Sequence, residues 1–165
     1  MGAGPAGSAA ARACAEEGLS TLCIEEHGTI GHPVQCAGLL STSAFAECGV
    51  SRRSILNEVS GARMFSGLGG ELLFDAGATK AFVVDRGLLD REMAEKAADA
   101  GAEFRLKTSA AGIRGTALLT RGVRGREEFP FRLLIAADGP RSSISRMLGF
   151  RRPQVYLAGI QAEVP

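Results

Sequence analysis

The sequence predicts an α/β doubly wound fold with an inserted antiparallel β segment, and three observations carry that prediction. The chain opens on Gly2-Ala3-Gly4-Pro5-Ala6-Gly7, a G-x-G-x-x-G spacing followed by an alanine-rich helical stretch. The short apolar run from Leu19 to Ile24 then ends in the acidic Glu25, at the ~20-residue offset used by Rossmann-like FAD/NAD(P)-binding folds. Much later the apolar stretch Phe131–Ala137 runs directly into Asp138-Gly139, a second junction of strand and turn.

Each element follows from local chemistry. In the glycine turn Gly2 makes the tight bend, Gly4 leaves room for backbone to approach a pyrophosphate, and Gly7 allows close helix packing. Residues 7–17 are rich in alanine and Gly18 is a natural stop, so a helix is expected there. Glu25 stands where ribose hydroxyls are received, and its charge would repel a 2′-phosphate, which disfavours NADP at this site. A dinucleotide turn follows a buried strand in such folds, yet only Met1 precedes Gly2. The expectation is a chain truncated at both ends, with apolar edges left bare beside the absent strand.

His27 to Ser43 reads as loop, with His27 and His32 as loop residues without chemistry, and a helix resumes at 42–48. Short apolar runs at Glu71–Phe74 and Ala81–Val84 predict antiparallel strands within 59–84. Asp85 is a good N-cap for a helix with Leu89, Met93, Ala97 and Ala100 at helical spacing. In that helix Glu92 and Lys96 form an i,i+4 pair, and Gly101 ends it. Then come a strand at Glu103–Lys107, a hairpin from about 110 to 131 with its turn near Gly122–Arg126, and a buried strand at Phe131–Ala137. Ser142 caps a short helix to about Leu148, and Tyr156–Pro165 reads as a further strand. The expected organisation is a dinucleotide-binding segment lacking its first strand (1–58) and an antiparallel β segment of a substrate domain (59–84). A return to the cofactor domain (85–150) and the start of the substrate-domain sheet (151–165) complete it.

Composition narrows the function classes. With 19 basic and 18 acidic residues the net charge is +1, which leaves no electrostatic case for nucleic acid or an anionic membrane surface. No apolar run reaches the roughly 18 residues of a spanning helix, and no signal peptide precedes the glycine turn, so a cytoplasmic location is expected. Cys14, Cys23, Cys36 and Cys48 form no C-x-x-C pair, and two histidines add no ligand cluster, so no metal site is expected.

The order Gly2–Gly7, Glu25, Val84-Asp85-Arg86 and Leu134–Ser142 resembles the FAD-dependent oxidoreductases of the aromatic-hydroxylase superfamily. Within it, Ile30-Gly31-His32-Pro33-Val34-Gln35-Cys36-Ala37-Gly38 and Val83–Arg86 resemble the N-terminal half of the geranylgeranyl reductase family, whose members saturate isoprenoid double bonds. The pattern departs at Ser145, where many relatives carry Arg, and at Gly38-Leu39, which replaces a Gly-Glu-Gly continuation. Which polyprenyl substrate is used is therefore open.

The resemblance implies FAD as cofactor and a role for each matching position. Gly2, Gly4, Ala6 and Gly7 would contact the pyrophosphate, while Glu25, with Glu26 beside it, would bind the adenosine ribose. The backbone at Ala110 would meet the adenine edge, and Arg86 would neutralise phosphate or ribityl oxygens. Asp138 and Gly139 would lie near the pyrophosphate and ribityl chain, and Cys36 and Ala37 beside the flavin ring. Cys36 is either a group lining that pocket or a small buried hydrophobe, since no neighbouring Lys, Arg or helix start lowers its pKa. The implied reaction is hydride transfer from reduced flavin to an alkene carbon of a small-molecule or polyprenyl-lipid substrate. NAD(P)H and ferredoxin are both open as donors, peripheral membrane contact follows from a lipid substrate, and no catalytic residue is assigned. A third FAD motif is expected beyond Pro165, so residues 1–165 alone are expected to be inactive. The alternatives are an FAD-dependent monooxygenase or halogenase, and a non-catalytic nucleotide-binding fragment.

Overall fold

Alanine-rich sequence without a β-branched residue makes the first helix, α1 (Pro5–Glu16), which starts with proline in its first turn, where no amide donor is lost. In the computed structural model, which describes residues 1–151, 154–155 and 157–159, α1 is followed by Gly18 in the left-handed conformation. The chain then enters the short buried strand β1 (Leu22–Ile24). Small side chains let α1 lie close to its neighbours. Ala11 and Ala15 pack with Ala3, Cys23, Ala97 and Ala102 in one cluster.

A second layer forms from β2 (Leu39–Ser41), helix α2 (Thr42–Cys48) and β3 (Ile55–Val59). Next come the hairpin β4 (Gly61–Phe65) and β5 (Glu71–Asp75), then β6 (Ala81–Val84). β6 is the centre of a three-stranded antiparallel sheet in the order β2-β6-β3, with a bulge between Ile55 and Asn57. Behind that sheet Phe45, Phe82, Val84, Leu89 and Met93 form a core, with Phe45 and Phe82 edge to face at 5.1 Å between centroids. Burying a side chain of this size contributes about 1.5–3 kcal/mol. The β4–β5 hairpin is a separate two-stranded sheet whose Phe65, Leu72, Leu73 and Phe74 are all exposed.

Helix α3 (Arg86–Asp99) begins as expected, with the Leu88 amide donating to the Asp85 carboxylate at 2.9 Å. Leu89, Met93 and Ala97 are its buried stripe. The expected Glu92–Lys96 pair gives way to a longer-range contact: Glu92 accepts from the Ser51 amide at 2.6 Å and the Ser51 hydroxyl at 2.9 Å. Fixed donors brought by the fold outcompete a flexible surface ammonium. Strand β7 (Glu103–Arg105) pairs parallel with β1. It is followed by a meander of β8 (Thr108–Arg114), β9 (Ala117–Gly122) and β10 (Gly125–Pro130), whose last turn falls at the expected position. Helix α4 (Ser143–Met147) ends the described regular structure.

One expected strand is absent among the described residues. Phe131–Ala137 forms no strand after Pro130, and Leu133 and Ile135 are exposed. A strand needs a partner along its length, and among the described residues this stretch finds backbone partners only at its ends, the Phe131 amide with the Thr116 carbonyl and Ile135 and Ala137 with Met1. The Tyr156–Pro165 strand lies largely outside the described residues, and 157–159 carry no regular structure. No described helix is long and apolar enough to cross a membrane.

One substitution tests how tightly the first turn is built. A Cβ at Gly7 would sit 1.8 Å from the Gly2 carbonyl oxygen. Gly7→Ala is expected to lower the urea midpoint by an amount equivalent to ~1–3 kcal/mol; an unchanged midpoint would contradict this packing.

Candidate functional site

The site starts from the glycine turn. Gly2 has φ +92°, and a Cβ there would lie 2.3 Å from the Ala137 carbonyl oxygen, so only glycine fits. Gly4 is the N-cap of α1, and a Cβ there would meet nothing within 4 Å. No side chain caps this helix and no acidic residue occupies its first turn. Its first amides and positive dipole end therefore face open space suited to an anion.

Glu25, at the end of β1, is 8% exposed. Its carboxylate accepts from the Ala3 amide at 2.7 Å and the His27 amide at 2.9 Å, and His27 Nδ1 lies 2.6 Å away. Burial alone would raise its pKa, but the Ala3 and His27 amides and the His27 imidazole together hold the carboxyl below the ordinary range. His27 is thus no idle loop residue. It is half-exposed and bonded to the best-placed acid of the chain.

The facing wall comes from α3. Arg86 donates from Nε and Nη2 to the two oxygens of Asp90, each at 3.1 Å, and Asp90 is buried. Burial works against the guanidinium charge, but the Asp90 fork, with the Cys36 thiol also facing Arg86, outweighs it and raises the pKa. The expectation that nothing basic stands near Cys36 is therefore corrected: Arg86, fifty positions away in sequence, folds against it. At the far end Asp138 accepts from the Ser142 hydroxyl at 2.6 Å and from the Ser143 and Ile144 amides at 2.7 and 3.1 Å. Burial opposes its charge, yet these donors keep the carboxyl below its usual range. Ser142 in turn caps α4 by accepting from the Ser145 amide at 2.9 Å.

These pieces line one cleft of about 550 Å³. Gly2, Gly4, Glu25, Glu26, Cys36, Arg86, Ala110 and Asp138 all border it. Ala6 is exposed on the first turn of α1, Gly7 is buried beneath the glycine turn, and Ala37 and Gly139 are exposed in their loops. None of these four borders the cleft. Sequence reasoning missed Asp90 and His27. Asp90 had a signal, the i,i+4 spacing from Arg86, whereas the His27 contact depends on how the chain turns after β1. Among the described residues no group of His, Cys, Asp or Glu could hold a metal.

The cleft has groups suited to a dinucleotide: uncapped helix amides that can donate to a diphosphate, a carboxylate that can accept from hydroxyls, and a fixed guanidinium. Residues 1–161 match the profile of the FAD binding domain. The chain belongs to this FAD-binding family. It is 39% identical over 160 residues to the digeranylgeranylglycerophospholipid reductase of Methanocella arvoryzae, covering 90% of this chain and 40% of that protein. The chain thus spans about 40% of the length of the reductases it matches. A crystal structure of a geranylgeranyl bacteriochlorophyll reductase-like protein from Thermoplasma acidophilum superposes with a TM-score of 0.84 at 34% identity, covering 95% of this chain and 42% of that one. Aklavinone-11 hydroxylase, solved with FAD and aklavinone, shares the fold alone, with a TM-score of 0.70 at 18% identity over 90% of this chain and 34% of its own. FAD is the cofactor, and the glycine turn fits it: at Gly4, which borders the cleft, the place of a Cβ is open, with nothing within 4 Å.

The depressed carboxyl of Glu25 gives a pH test. A folded-state pKa below the unfolded one stabilises the fold above the unfolded value, ~4.3 for Glu, and this is lost as pH falls through the lower folded value. Glu25→Gln is therefore expected to cost stability at neutral pH and to flatten the acid limb of urea midpoint against pH. An acid limb identical to that of the parent protein would refute the assignment. Asp90→Asn, which loosens the Arg86 fork, is expected to weaken FAD binding roughly tenfold, ~1.4 kcal/mol, by quenching of flavin fluorescence.

Proposed function

We propose that the chain forms the FAD-binding part of a flavin-dependent reductase that saturates isoprenoid double bonds in polyprenyl lipids. The observation that carries this reading is the single cleft joining the glycine turn, Glu25, Arg86 and Asp138, in a chain 39% identical to a digeranylgeranylglycerophospholipid reductase. In this reading Gly2, Gly4 and the first amides of α1, with Ala6 and Gly7 shaping that turn, receive the pyrophosphate. Glu25, flanked by Glu26, receives the adenosine ribose, and the Ala110 backbone meets the adenine. Arg86, held by Asp90, neutralises phosphate or ribityl oxygens, and Asp138-Gly139 closes the turn beside them. Cys36 and Ala37 border the flavin end.

When bound and reduced, FAD would supply the hydride for one alkene carbon, with a proton from solvent or an acid completing the other. This chain's own residues bind and orient the cofactor. Arg86 keeps its charge through Asp90 and Cys36, and Glu25 stays ionised through Ala3 and His27. The exposed apolar face of the β4–β5 hairpin, with Phe65, Leu72 and Phe74, supports a lipid substrate and peripheral contact with its membrane from the cytoplasm. NAD(P)H or ferredoxin would supply the electrons.

The reading is tested in two steps. The protein is titrated with FAD, and saturable quenching lost in Glu25→Ala is expected. The FAD-loaded, chemically reduced full-length enzyme containing this chain is then incubated anaerobically with a geranylgeranyl glycerophospholipid, and hydrogen gain is read by mass. Oxygen-dependent hydroxylation in place of alkene reduction would replace the proposed reaction with that of a monooxygenase, and no saturable FAD binding would end the flavoprotein reading.

A further inference from the structure

The two carboxylate oxygens of Glu25 are loaded unequally. Oε2 accepts one bond, from the Ala3 amide at 2.7 Å. Oε1 accepts two, from the His27 amide at 2.9 Å and from His27 Nδ1 at 2.6 Å. A carboxylate oxygen offers roughly two lone-pair sites, so Oε2 has one to spare and Oε1 has none. An ionised carboxylate only accepts, and Nδ1 therefore carries the proton in this contact.

Of the two donors on Oε1, only the ring is free to leave. The turn from Glu25 to His27 is fastened to the β7–β8 side by three backbone bonds. The Glu25 amide donates to the Arg105 carbonyl at 2.8 Å, the Thr108 amide to the Glu25 carbonyl at 2.9 Å and the Lys107 amide to the His27 carbonyl at 3.0 Å. Moving the His27 amide would break that ladder. The imidazole has no other hydrogen-bond partner among the described residues, and its side chain is 49% exposed against 11% for Glu25. A turn about its own torsions takes it into water. Among the charged neighbours, Glu26 lies on the same turn and Arg105 and Lys107 on the β7–β8 side, with the Lys107 side chain beside Gly28. Arg86 and Asp90 of α3, and Asp138, Arg141 and Arg146 at α4, stand on the same cleft. Imidazole is the side chain that ordinarily changes charge between about pH 5 and 8, and the second one on the cleft is His32.

We propose that the His27 imidazole is a displaceable placeholder for one hydroxyl of a ribose diol. The incoming diol takes the Oε1 site from Nδ1 with one hydroxyl and fills the free site on Oε2 with the other. The inference rests on the reading that Glu25 receives the adenosine ribose, and it adds the group that gives way. Two neighbouring hydroxyls donate side by side, one to each carboxylate oxygen, and Oε1 has room for its share only once the ring has left. The exchange carries a pH dependence of definite sign. Protonating the ring strengthens its hold on Glu25, because a charge-assisted bond is roughly twice as strong as a neutral one. Displacement then becomes harder, and cofactor affinity falls with pH. An imidazole that instead touched the cofactor would give the opposite sign, since its positive charge would favour a diphosphate at low pH.

The test is the dissociation constant of FAD, read by quenching of flavin fluorescence on the full-length protein at about pH 8 and about pH 5.5, a span in which imidazole changes charge and an ordinary carboxyl stays ionised. The parent is expected to bind roughly three- to fivefold more weakly at the lower pH, the scale of a partly exposed ion pair. His27→Gln, which keeps a neutral donor, is expected to lose that dependence. His27→Ala is expected to bind more tightly than the parent at the lower pH, and His32→Gln to keep the parent's profile. A parent profile that is flat, or that tightens on acidification, would overturn the proposal, as would a slope that survives in His27→Gln. Glu25→Gln separates the two readings. If it binds FAD as tightly as the parent, the ribose lies elsewhere and the reading of Glu25 fails together with the proposal. If it binds weakly while His27→Gln keeps the parent's slope, the placeholder alone fails.

Discussion

The hydrogen bonds of Met1 and Gly2 are the constraint on which the rest of this structure depends. Two adjacent residues bond to Ile24, to Ile135 and to Ala137, and so join stretches more than a hundred positions apart. Each such bond contributes only about 0.5–1.5 kcal/mol net, but its geometric effect is larger. It sets the glycine turn directly above Ala137, where the 2.3 Å approach of a Gly2 Cβ would forbid any other residue. The same bonds carry Glu25, one residue past Ile24, and Asp138, one past Ala137, to the rim of one cleft.

The charged groups around that cleft are held before any ligand arrives. Glu25 rests on the amides of Ala3 and His27, Arg86 on Asp90, and Asp138 on the first turn of α4. Groups fixed in this way lose little further freedom when a cofactor binds, which removes part of the ordering cost of association. A carboxylate offers roughly four lone-pair sites, and three of those on Glu25 are engaged by Ala3 and by the amide and ring of His27. In the proposed role of Glu25, one ribose hydroxyl would be accepted with those contacts intact, and a second would have to displace one of them, such as the imidazole of His27.

The apolar surface of the β4–β5 hairpin follows from its separation from the other sheets: it is a two-stranded sheet with both faces open, and Leu68 at its tip is 99% exposed. An open apolar face of this kind selects for apolar surface.

By itself the sequence determined what local chemistry controls. The alanine-rich α1 and its Gly18 stop, the Asp85 cap, the Ser142 cap and the β9–β10 turn all depend on residues within one or two turns of each other. The Gly-x-Gly-x-x-Gly motif, the acid at Glu25 and the Asp138-Gly139 junction were legible for the same reason: dinucleotide binding imposes residue types at short spacings. Tertiary structure decided what depends on partners distant in the chain. It turned Glu92 from Lys96 to Ser51, set Arg86 against Cys36 and clamped it with Asp90, and brought His27 onto Glu25. It also left Phe131–Ala137 extended but unassigned to any sheet, because an apolar sequence specifies a strand's readiness to pair and only a neighbouring backbone supplies the pairing.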